Sequence, residues 1–462
     1  MSQKNQDQNA PVDDVAVQHA KVQITALSDE TAAYQRTTHP DAQWYRDTCL
    51  GMFFHWGISS VNGQGDLSWG MMKRAPGFAV ESAKAHGIYA VQSICSPNKY
   101  WEQAEGFKCE NYDPEKWLIA AKEVGVEYVV ITTKHHDGFC LWPSEHGDLS
   151  TKNFLGGRDL LQEFVAACRK LEIKIGFYYS PPDWRLEQER MSFLYGNQNP
   201  GLDQNFKQKE VIEPNPEEEA AFFAKHAELA SGHVRELLTR YGKIDILWFD
   251  GRVPPGGITM EQIREIQPGI LVNSRGYGYG DFNTPECKFP ERRFDKGWWE
   301  YCHVFADGAW GYLDHEVYKP LGWLLGELSK TRSWDGTFLP NVAPDAKGQM
   351  PHSFYLRMRQ LKDWMSHSGE SIHGAEGGGW PEQSNVPLTH RAGRTYAHLD
   401  WQFDASTVVE ISYLKQAPKS VSFLKTGESI EFTYEQGVLR FQVDDDSLSH
   451  LTDVVLIEQA SA

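Results

Sequence analysis

Five segments of the chain end in side chains that can do chemistry: His55-Trp56, His135-His136-Asp137, Tyr178-Tyr179, Trp248 with Asp250, and Arg275. Asp250 follows the largely apolar segment 244–249. An aspartate placed directly after a buried strand is partly desolvated and can attack an anomeric carbon as a nucleophile. The Asp250-Gly251 pair also fits a turn that merely ends a strand. Five such ends together favour one shared polar pocket.

A double displacement at an anomeric carbon needs a second carboxyl group about 5 to 5.5 Å from the nucleophile, protonated at rest. Two glutamates follow the Arg275 segment closely enough to supply it. Glu286 comes after Pro285, which fixes the backbone before it. Glu300 comes after Trp298 and Trp299, whose apolar rings would raise its pKa by burial. The residues alone do not separate the two glutamates.

Metal and cofactor chemistry are not favoured by the motifs. His135 and His136 are adjacent, and adjacent residues of a strand point to opposite faces, so we expect the pair to form hydrogen bonds rather than to chelate one ion. The seven cysteines form no C-x-x-C pair and lack zinc-ligand spacing. The chain also lacks a Gly-x-Ser-x-Gly elbow, and no helical pattern follows the glycines near residue 280. We therefore expect neither a metal nor a cofactor.

The elements that must position these side chains alternate from about residue 40 to residue 365. Short apolar segments, typical of strands, are found at 51–56, 128–135, 174–180, 244–250 and 270–275. Helical patterns lie between them at 113–125, 158–172 and 217–242. Repeated units of this kind predict an α/β fold, a (β/α)8-like barrel, whose site lies on the loops after the strands. The polar segment 184–217 is expected to be one such long loop.

A different pattern begins near residue 370. Apolar residues alternate with polar ones at Ile430, Phe432 and Tyr434, and again at Leu439 and Phe441. This period of two indicates antiparallel strands with one solvated face. We therefore expect an N-terminal extension at 1–40, a catalytic barrel at 41–370 and a small antiparallel β-sandwich at 381–462, with a structural or weak sugar-binding role.

Composition excludes some partners and leaves others open. The net charge of -18 repels phosphate backbones and anionic membrane surfaces, so we expect neither nucleic acid nor a membrane as a partner. The polar N-terminus lacks a signal-peptide pattern; the compartment is periplasmic or secreted if a leader was removed and cytoplasmic otherwise. Aromatic residues form 13% of the chain and are compatible with sugar stacking or with core packing. The composition leaves open whether the protein forms a homo-oligomer.

At these residues the chain resembles glycoside hydrolase family 29, the α-L-fucosidases, from about Trp44 to Pro351. The segments that carry the resemblance are FFHWG (53–57), YVVITTKHHDGFCLWPS (128–144), GFYYS (176–180), ILWFDG (246–251), WGY (310–312) and SWDGTFLPNVAPDAKG (333–348). The resemblance implies a retaining exo-hydrolase that releases terminal α-L-fucose from an oligosaccharide or polysaccharide. It implies no cofactor.

The resemblance also implies roles for single residues. Asp250 matches the nucleophile of the family, and the Thr-x-Glu pattern favours Glu286 over Glu300 as the acid/base. Positions that bind fucose are matched by His55, His135, His136, Tyr178 and Arg275. An apolar cup for the C5 substituent of the sugar is expected from Trp56, Trp69 and Trp248, and Glu300 is retained as a further substrate-binding candidate.

The chain departs from the family pattern at Ser68. Many members have Ser-Glu-Trp where this chain reads Leu67-Ser68-Trp69, so a glutamate that holds sugar hydroxyls is replaced by a shorter group. Extra space there would suit a substituent on the sugar, and Asp66 could compensate. One alternative is therefore an α-L-galactosidase acting on a glycan such as a sulfated algal polysaccharide. Another is a non-catalytic carbohydrate-binding protein, which the two carboxylates argue against.

Overall fold

The protein folds around a barrel of parallel strands. The structure is a computed structural model and describes residues 14–24, 35–64, 66–74, 95–195, 200–210, 215–294, 297–412 and 414–459. The barrel strands in chain order are β1 Gly51–Phe54, β2 Tyr128–Lys134, β3 Lys174–Tyr179, β4 Ile246–Phe249, β5 Leu271–Val272, β6 Phe282–Asn283, β7 Trp298–Val304 and β8 Thr337–Val342.

Consecutive barrel strands are neighbours in the sheet except for β5 and β6, and β8 returns to pair with β1. Phe53 lies opposite Asn341 in that pairing. A parallel bridge between Asn273 and Phe282 links the ends of the sheet at β5 and β6 and brings it close to a closed barrel. The predicted α/β barrel is confirmed. Polar residues come directly after several of its strands.

Helices surround the strands. The longer ones are α1 Asp14–Lys21, α2 Pro114–Lys122, α3 Leu160–Lys170, α4 Pro216–Arg240, α5 Met260–Ile266, α6 Leu321–Ser333 and α7 His352–Ser368. Their starts show ordinary capping chemistry: Asn215 accepts the Glu218 backbone N–H at the start of α4, and Asp159 accepts that of Gln162 at the start of α3. None of the helices among the described residues is both long and apolar enough to cross a membrane.

The described residues of the segment 184–217 are largely irregular, as predicted for a loop. Its regular parts are a helical turn at Trp184–Glu187 and the strand pairs formed by Leu194–Tyr195 with Lys73–Arg74 and by Gly201–Leu202 with Gln208–Lys209. Residues 196–199 and 211–214 lie outside the described residues. Further short helices are found at Pro40–Asp47, Ile58–Val61, Leu67–Met71, Pro97–Trp101, Glu102–Glu105, Thr151–Phe154, Ser274–Gly276, Gly369–Ser371 and Asp445–Ser447.

Antiparallel sheets come after the barrel. Their strands are β9 Glu376–Gly377, β10 Leu388–Arg391, β11 Arg394–Leu399, β12 Val409–Ile411, β13 Pro418–Phe423, β14 Phe432–Glu435, β15 Val438–Phe441 and β16 Asp453–Gln459. One sheet has the order β9-β10-β11-β16-β13 and the other has β12-β15-β14, with a shared apolar core between them. Because β9 already pairs with β10, we propose that this β-sandwich begins near residue 376 rather than at 381.

Candidate active site

A cavity of about 30 Å³ lies at the carboxyl ends of the barrel strands. It is lined by Gln18, His19, Val22, Phe53, His55, Leu67, Trp69, His135, His136, Tyr178, Trp248, Asp250, Arg275, Glu286, Cys302 and Trp310. This volume holds a few water molecules but is smaller than a sugar ring. The loops after barrel strands are where sites form in this fold, so the cavity is the candidate active site.

Asp250 directly follows β4 and presents its carboxylate to the cavity. The Tyr178 hydroxyl donates to its Oδ2 at 2.7 Å, and Arg275 Nη1 donates to its Oδ1 at 2.8 Å. Its side chain is 15% exposed. Gly251 has φ +115°, so the Asp-Gly pair does form a turn at the end of the strand as well. Donors on both oxygens fix the orientation of this carboxylate at the cavity wall.

Arg275 brings Asp250 and Glu286 together. Its Nη1 lies 2.8 Å from an oxygen of Asp250 and 2.9 Å from an oxygen of Glu286. The two carboxylate oxygens are therefore less than about 6 Å apart, which fits the spacing for a covalent intermediate better than the wider spacing that admits a water. Thr284 fixes the guanidinium, since its hydroxyl accepts from Nε at 2.7 Å and its carbonyl accepts from Nη2 at 3.0 Å.

Glu286 is held as a carboxylate in this resting site. His19 Nε2 lies 2.8 Å from the Oε2 atom that Arg275 also contacts. Burial raises the pKa of Glu286, but the charge of Arg275 and the hydrogen bond from His19 outweigh it and hold the pKa well below its ordinary range. The surroundings of Glu286 therefore favour its ionised form.

Each of three histidines around the cavity has one ring nitrogen fixed by a neighbour. Asn341 Oδ1 lies 2.6 Å from Nδ1 of His55. The hydroxyls of Ser68 and Ser180 lie 2.5 and 2.6 Å from Nδ1 of His135 and His136. Burial lowers the pKa of His55 to about 4 and the pKa of the other two well below 6.5, so all three rings are neutral near pH 7. Neutral rings with one fixed nitrogen suit the reading of hydroxyl groups.

His135 and His136 form hydrogen bonds, as expected, but the prediction that their side chains point to opposite faces of a strand is wrong. Ligand atoms of His135, His136 and Asp250 lie within 4.8 Å of one another. The alternation of a strand does not apply to the pair because β2 ends at Lys134, one residue before it. The expected absence of a metal stays a prediction.

Trp56 does not belong to the cup around the sugar. Its ring packs against Phe107, Tyr112 and Trp117, and its Nε1 donates to the carbonyl of Asp345 at 2.8 Å. Side chains alternate along an extended segment, so the cavity receives Phe53 and His55 while the next residues face the helices. The prediction that placed Trp56 in the cavity is corrected by this alternation.

Glu300 lies in the barrel interior and is absent from the cavity lining. It is fully buried on β7 and accepts hydrogen bonds from Tyr45 at 3.1 Å, from Tyr128, and from Trp248 Nε1 at 2.8 Å. Burial raises its pKa to about 7, although the hydrogen bonds oppose the shift. This structure therefore does not favour contact of Glu300 with a substrate, and Glu300 instead supports Trp248 from behind.

The apolar cup is built from Trp69 and Trp248 together with residues that sequence reasoning did not select. Trp248 stacks on Tyr178 at 5.6 Å and carries the Arg275 guanidinium 4.5 Å above its ring. Trp310 adds a further aromatic wall, and its WGY motif is the signal that could have identified it. Further lining residues missed from the sequence are Gln18, His19, Val22, Phe53, Leu67 and Cys302.

Neither Ser68 nor Asp66 lines the cavity. Ser68 instead holds His135 and accepts the Asp137 backbone N–H at 2.8 Å. Asp66 accepts the backbone N–H groups of Trp310 and Gly311 at 2.8 and 3.1 Å. The two residues therefore shape the cavity wall through their neighbours, and Asp66 is not placed to compensate for a missing glutamate.

An eight-stranded α/β barrel with two carboxylates this close at its strand ends is the architecture of a retaining glycoside hydrolase. Residues 16–370 match the family model described as Alpha-L-fucosidase. This match spans well over half of the chain. The chain belongs to the α-L-fucosidase family.

Known proteins that resemble the chain carry the same name. The tissue alpha-L-fucosidase of Rattus norvegicus is 26% identical over 412 residues, which are 84% of this chain and 81% of that protein. The structure of alpha-L-fucosidase isoenzyme 1 from Paenibacillus thiaminolyticus superposes with a TM-score of 0.69 at 27% identity, covering 91% of this chain and 99% of that one. A GH29 trapped covalent intermediate from Bacteroides thetaiotaomicron shares the fold, with a TM-score of 0.71 at 23% identity over 92% and 97% of the chains.

Proposed function

We propose that this protein is a retaining exo-hydrolase that releases terminal α-L-fucose from a glycan, with Asp250 as nucleophile and Glu286 as acid/base. The observation that carries the proposal is the contact of one Arg275 nitrogen with both carboxylates. It supports a separation of less than about 6 Å, which is closer to the spacing of retaining enzymes than to the wider spacing of inverting ones.

In the first step an oxygen of Asp250 forms a bond to the anomeric carbon as the bond to the leaving oxygen breaks. The electron pair of that bond stays on the leaving oxygen, which takes a proton through Glu286. In the second step a water oxygen bonds to the same carbon, the bond to Asp250 breaks and Glu286 accepts the proton of the water. Two inversions give retained configuration.

The surroundings of the pair fit a sugar with one apolar and one polar side. Trp69 and Trp248 supply apolar surface to one side, and the neutral histidines His55, His135 and His136 offer ring nitrogens to the hydroxyls. Arg275 and the Tyr178 hydroxyl keep the Asp250 carboxylate oriented for attack.

Azide chemistry on two variants tests both assignments. We expect Asp250→Ala to lower kcat/KM on an aryl α-L-fucoside by on the order of 10³-fold or more, and azide to restore turnover with β-fucosyl azide as product, by a single inversion. In Glu286→Ala the intermediate still forms, so azide should give the α-azide. NMR of the products identifies the anomer.

Two results would contradict these assignments: hydrolysis retained by Asp250→Ala, or the β-azide from Glu286→Ala. A parallel assay on the aryl α-L-galactoside addresses the sugar. A higher kcat/KM on that substrate than on the fucoside would reject fucose as the preferred sugar.

A further inference from the structure

The N-terminal helix α1 forms part of the cavity wall. Gln18, His19 and Val22 line the cavity although they precede the first barrel strand by about thirty residues. Val22 is 3% exposed, and its carbonyl accepts the backbone N–H of Arg252 at 3.1 Å, two residues beyond Asp250. The segment is thus docked on the same strand end that presents the proposed nucleophile.

His19 contacts Glu286 directly. Its Nε2 lies 2.8 Å from Glu286 Oε2, and the two side chains are 26% and 9% exposed. Arg275 contacts the same oxygen, so two donors converge on it. Of these two partners the imidazole is the kind of group that can pass on a proton, since a guanidinium stays protonated in proteins.

We propose that His19 is a positioning residue for the acid/base: it holds the Glu286 carboxylate toward the leaving-group side of the cavity and stores the proton that Glu286 delivers. This inference rests on the proposed function, in which Glu286 serves as the acid/base. It explains how Glu286, whose surroundings favour the carboxylate form, can still deliver a proton.

The proton balance closes over the two steps. The proposed sequence begins with the proton on His19 and a carboxylate on Glu286. As the glycosidic bond breaks, one proton passes from His19 through Glu286 to the leaving oxygen, which departs as an alcohol and leaves a neutral imidazole. When water attacks the sugar-enzyme bond, Glu286 takes the proton from the water and passes it back to His19. No additional reactant is needed.

Several charged or titratable groups face His19 from the elements packed against α1. Asp250 follows β4, Arg275 follows β5, Glu286 follows β6, His136 follows β2 and Cys302 lies on β7. On the helix itself, Lys21 donates to the Ser192 carbonyl at 3.4 Å, and the charge of Glu187 acts on it. Glu286 is the group among these with a direct contact to His19, so the pH dependence should follow this pair.

The dependence of rate on the leaving group separates this role from a structural one. A good leaving group such as 2,4-dinitrophenolate departs without a proton, whereas an alkyl alcohol does not. We expect His19→Ala to lower kcat/KM on methyl α-L-fucoside by about tenfold or more and to change it by less than about twofold on the dinitrophenyl substrate. His19→Gln keeps a donor but cannot titrate, so it should show the same selective loss and a displaced alkaline limb in the pH profile.

Ala20→Gln serves as the matched control, because Ala20 is exposed on the same helix. It should leave both substrates and the pH profile unchanged. Equal losses on both substrates in His19→Ala, or no loss on either, would overturn the inference, and thermal melting shows that the variants are folded.

Glu286→Ala, measured on the same two substrates, tells a failed inference from a failed proposal. A selective loss in Glu286→Ala without one in His19→Ala rejects only the role of His19. No selective loss in Glu286→Ala rejects the acid/base assignment itself.

Discussion

Glu286 and Glu300 show how two glutamates fourteen positions apart acquire opposite properties. Glu286 faces Arg275 and His19, so a nearby positive charge favours its ionised form. Glu300 lies among Tyr45, Tyr128 and Trp248, which donate hydrogen bonds but carry no charge. Burial without a counter-charge favours the protonated carboxylic acid. The first environment suits a group that exchanges protons with a substrate, and the second suits a structural group.

Glu300→Gln should change the pH dependence of stability. Burial raises the pKa of Glu300 from 4.5 to about 7, so the folded state binds this proton more tightly than the unfolded state. The resulting stabilisation is present below the unfolded pKa and is lost as pH rises to about 7. Between pH 4.5 and 7.5 the variant should gain roughly 3 kcal/mol relative to the wild type. Urea unfolding at both pH values measures this.

The exposed variant Glu431→Gln is the control and should follow the wild type at both pH values. Parallel curves for Glu300→Gln and the wild type would show that Glu300 has an ordinary pKa. Glu300→Gln should keep the leaving-group preference of the wild type, because Glu300 lies outside the cavity lining.

At the residue scale, the sequence predicts the side chains that come directly after a strand. Strand ends identify Asp250, Tyr178 and Arg275, and the structure brings all three to one cavity. The sequence does not decide between Glu286 and Glu300, because the choice depends on which donors the fold brings to each carboxyl group. His19 leaves no signal in the sequence, since its partner lies 267 positions away.

At the scale of elements, the end of β1 decides which residues reach the substrate. The segment continues in extended form beyond Phe54, so His55 enters the cavity and Trp56 enters the layer of helices. The FFHWG motif alone assigns both His55 and Trp56 to the pocket. The alternation of side chains along a strand predicts correctly which residues point into the cavity and which point toward the helices. It does so only once the side of the strand is known for one of them.

Trp56→Phe should therefore affect stability rather than substrate binding. The variant loses contact with Trp117 and the hydrogen bond to the Asp345 carbonyl, at a cost of roughly 1 to 3 kcal/mol in the free energy of unfolding. Its KM for the aryl fucoside should stay within about twofold of the wild type. The matched variant Trp69→Phe changes the cavity wall and should raise KM by about fivefold or more, because contact with the sugar is reduced.

Initial rates and urea unfolding of both variants provide the comparison. An increase in KM for Trp56→Phe as large as that for Trp69→Phe would place Trp56 against the substrate after all.

The helical patterns and the period-two strands beyond residue 370 are predicted correctly because each element carries its own periodicity.

At the scale of the whole molecule, helix α6 joins the barrel to the later part of the chain. Gly322 lies against Trp401, and a Cβ atom there would overlap Trp401 Cβ and lie 2.8 Å from Cγ. Gly326, one turn later, has room for a Cβ atom, whose nearest neighbours would be 3.6 and 3.7 Å away. The Trp364 indole on α7 adds a hydrogen bond of 2.7 Å to the Thr452 carbonyl. The contact is close and specific.

Gly322→Ala should loosen this contact. We expect a loss of about 1 to 3 kcal/mol in the free energy of unfolding, because the added methyl group meets the Trp401 side chain at its stem. Gly326→Ala is the matched control and should be neutral or stabilising by about 0.5 to 1 kcal/mol through helix propensity. Thermal melting measures both, and equal melting temperatures would show that the interface adapts freely. The KM of each variant should be unchanged.

The docking of α1 has a consequence for how activity is gained and lost. A helix of eight residues is unstable alone, so its order depends on contacts with strands synthesised more than two hundred residues later. During folding the barrel can therefore form first, and under the proposal for His19 the proton relay is complete only when residues 14–22 have docked on it. On warming, detachment of this helix is a small local event compared with opening the barrel. If His19 has the proposed role, we expect activity on the alkyl fucoside to be lost on warming at a lower temperature than that at which the barrel unfolds.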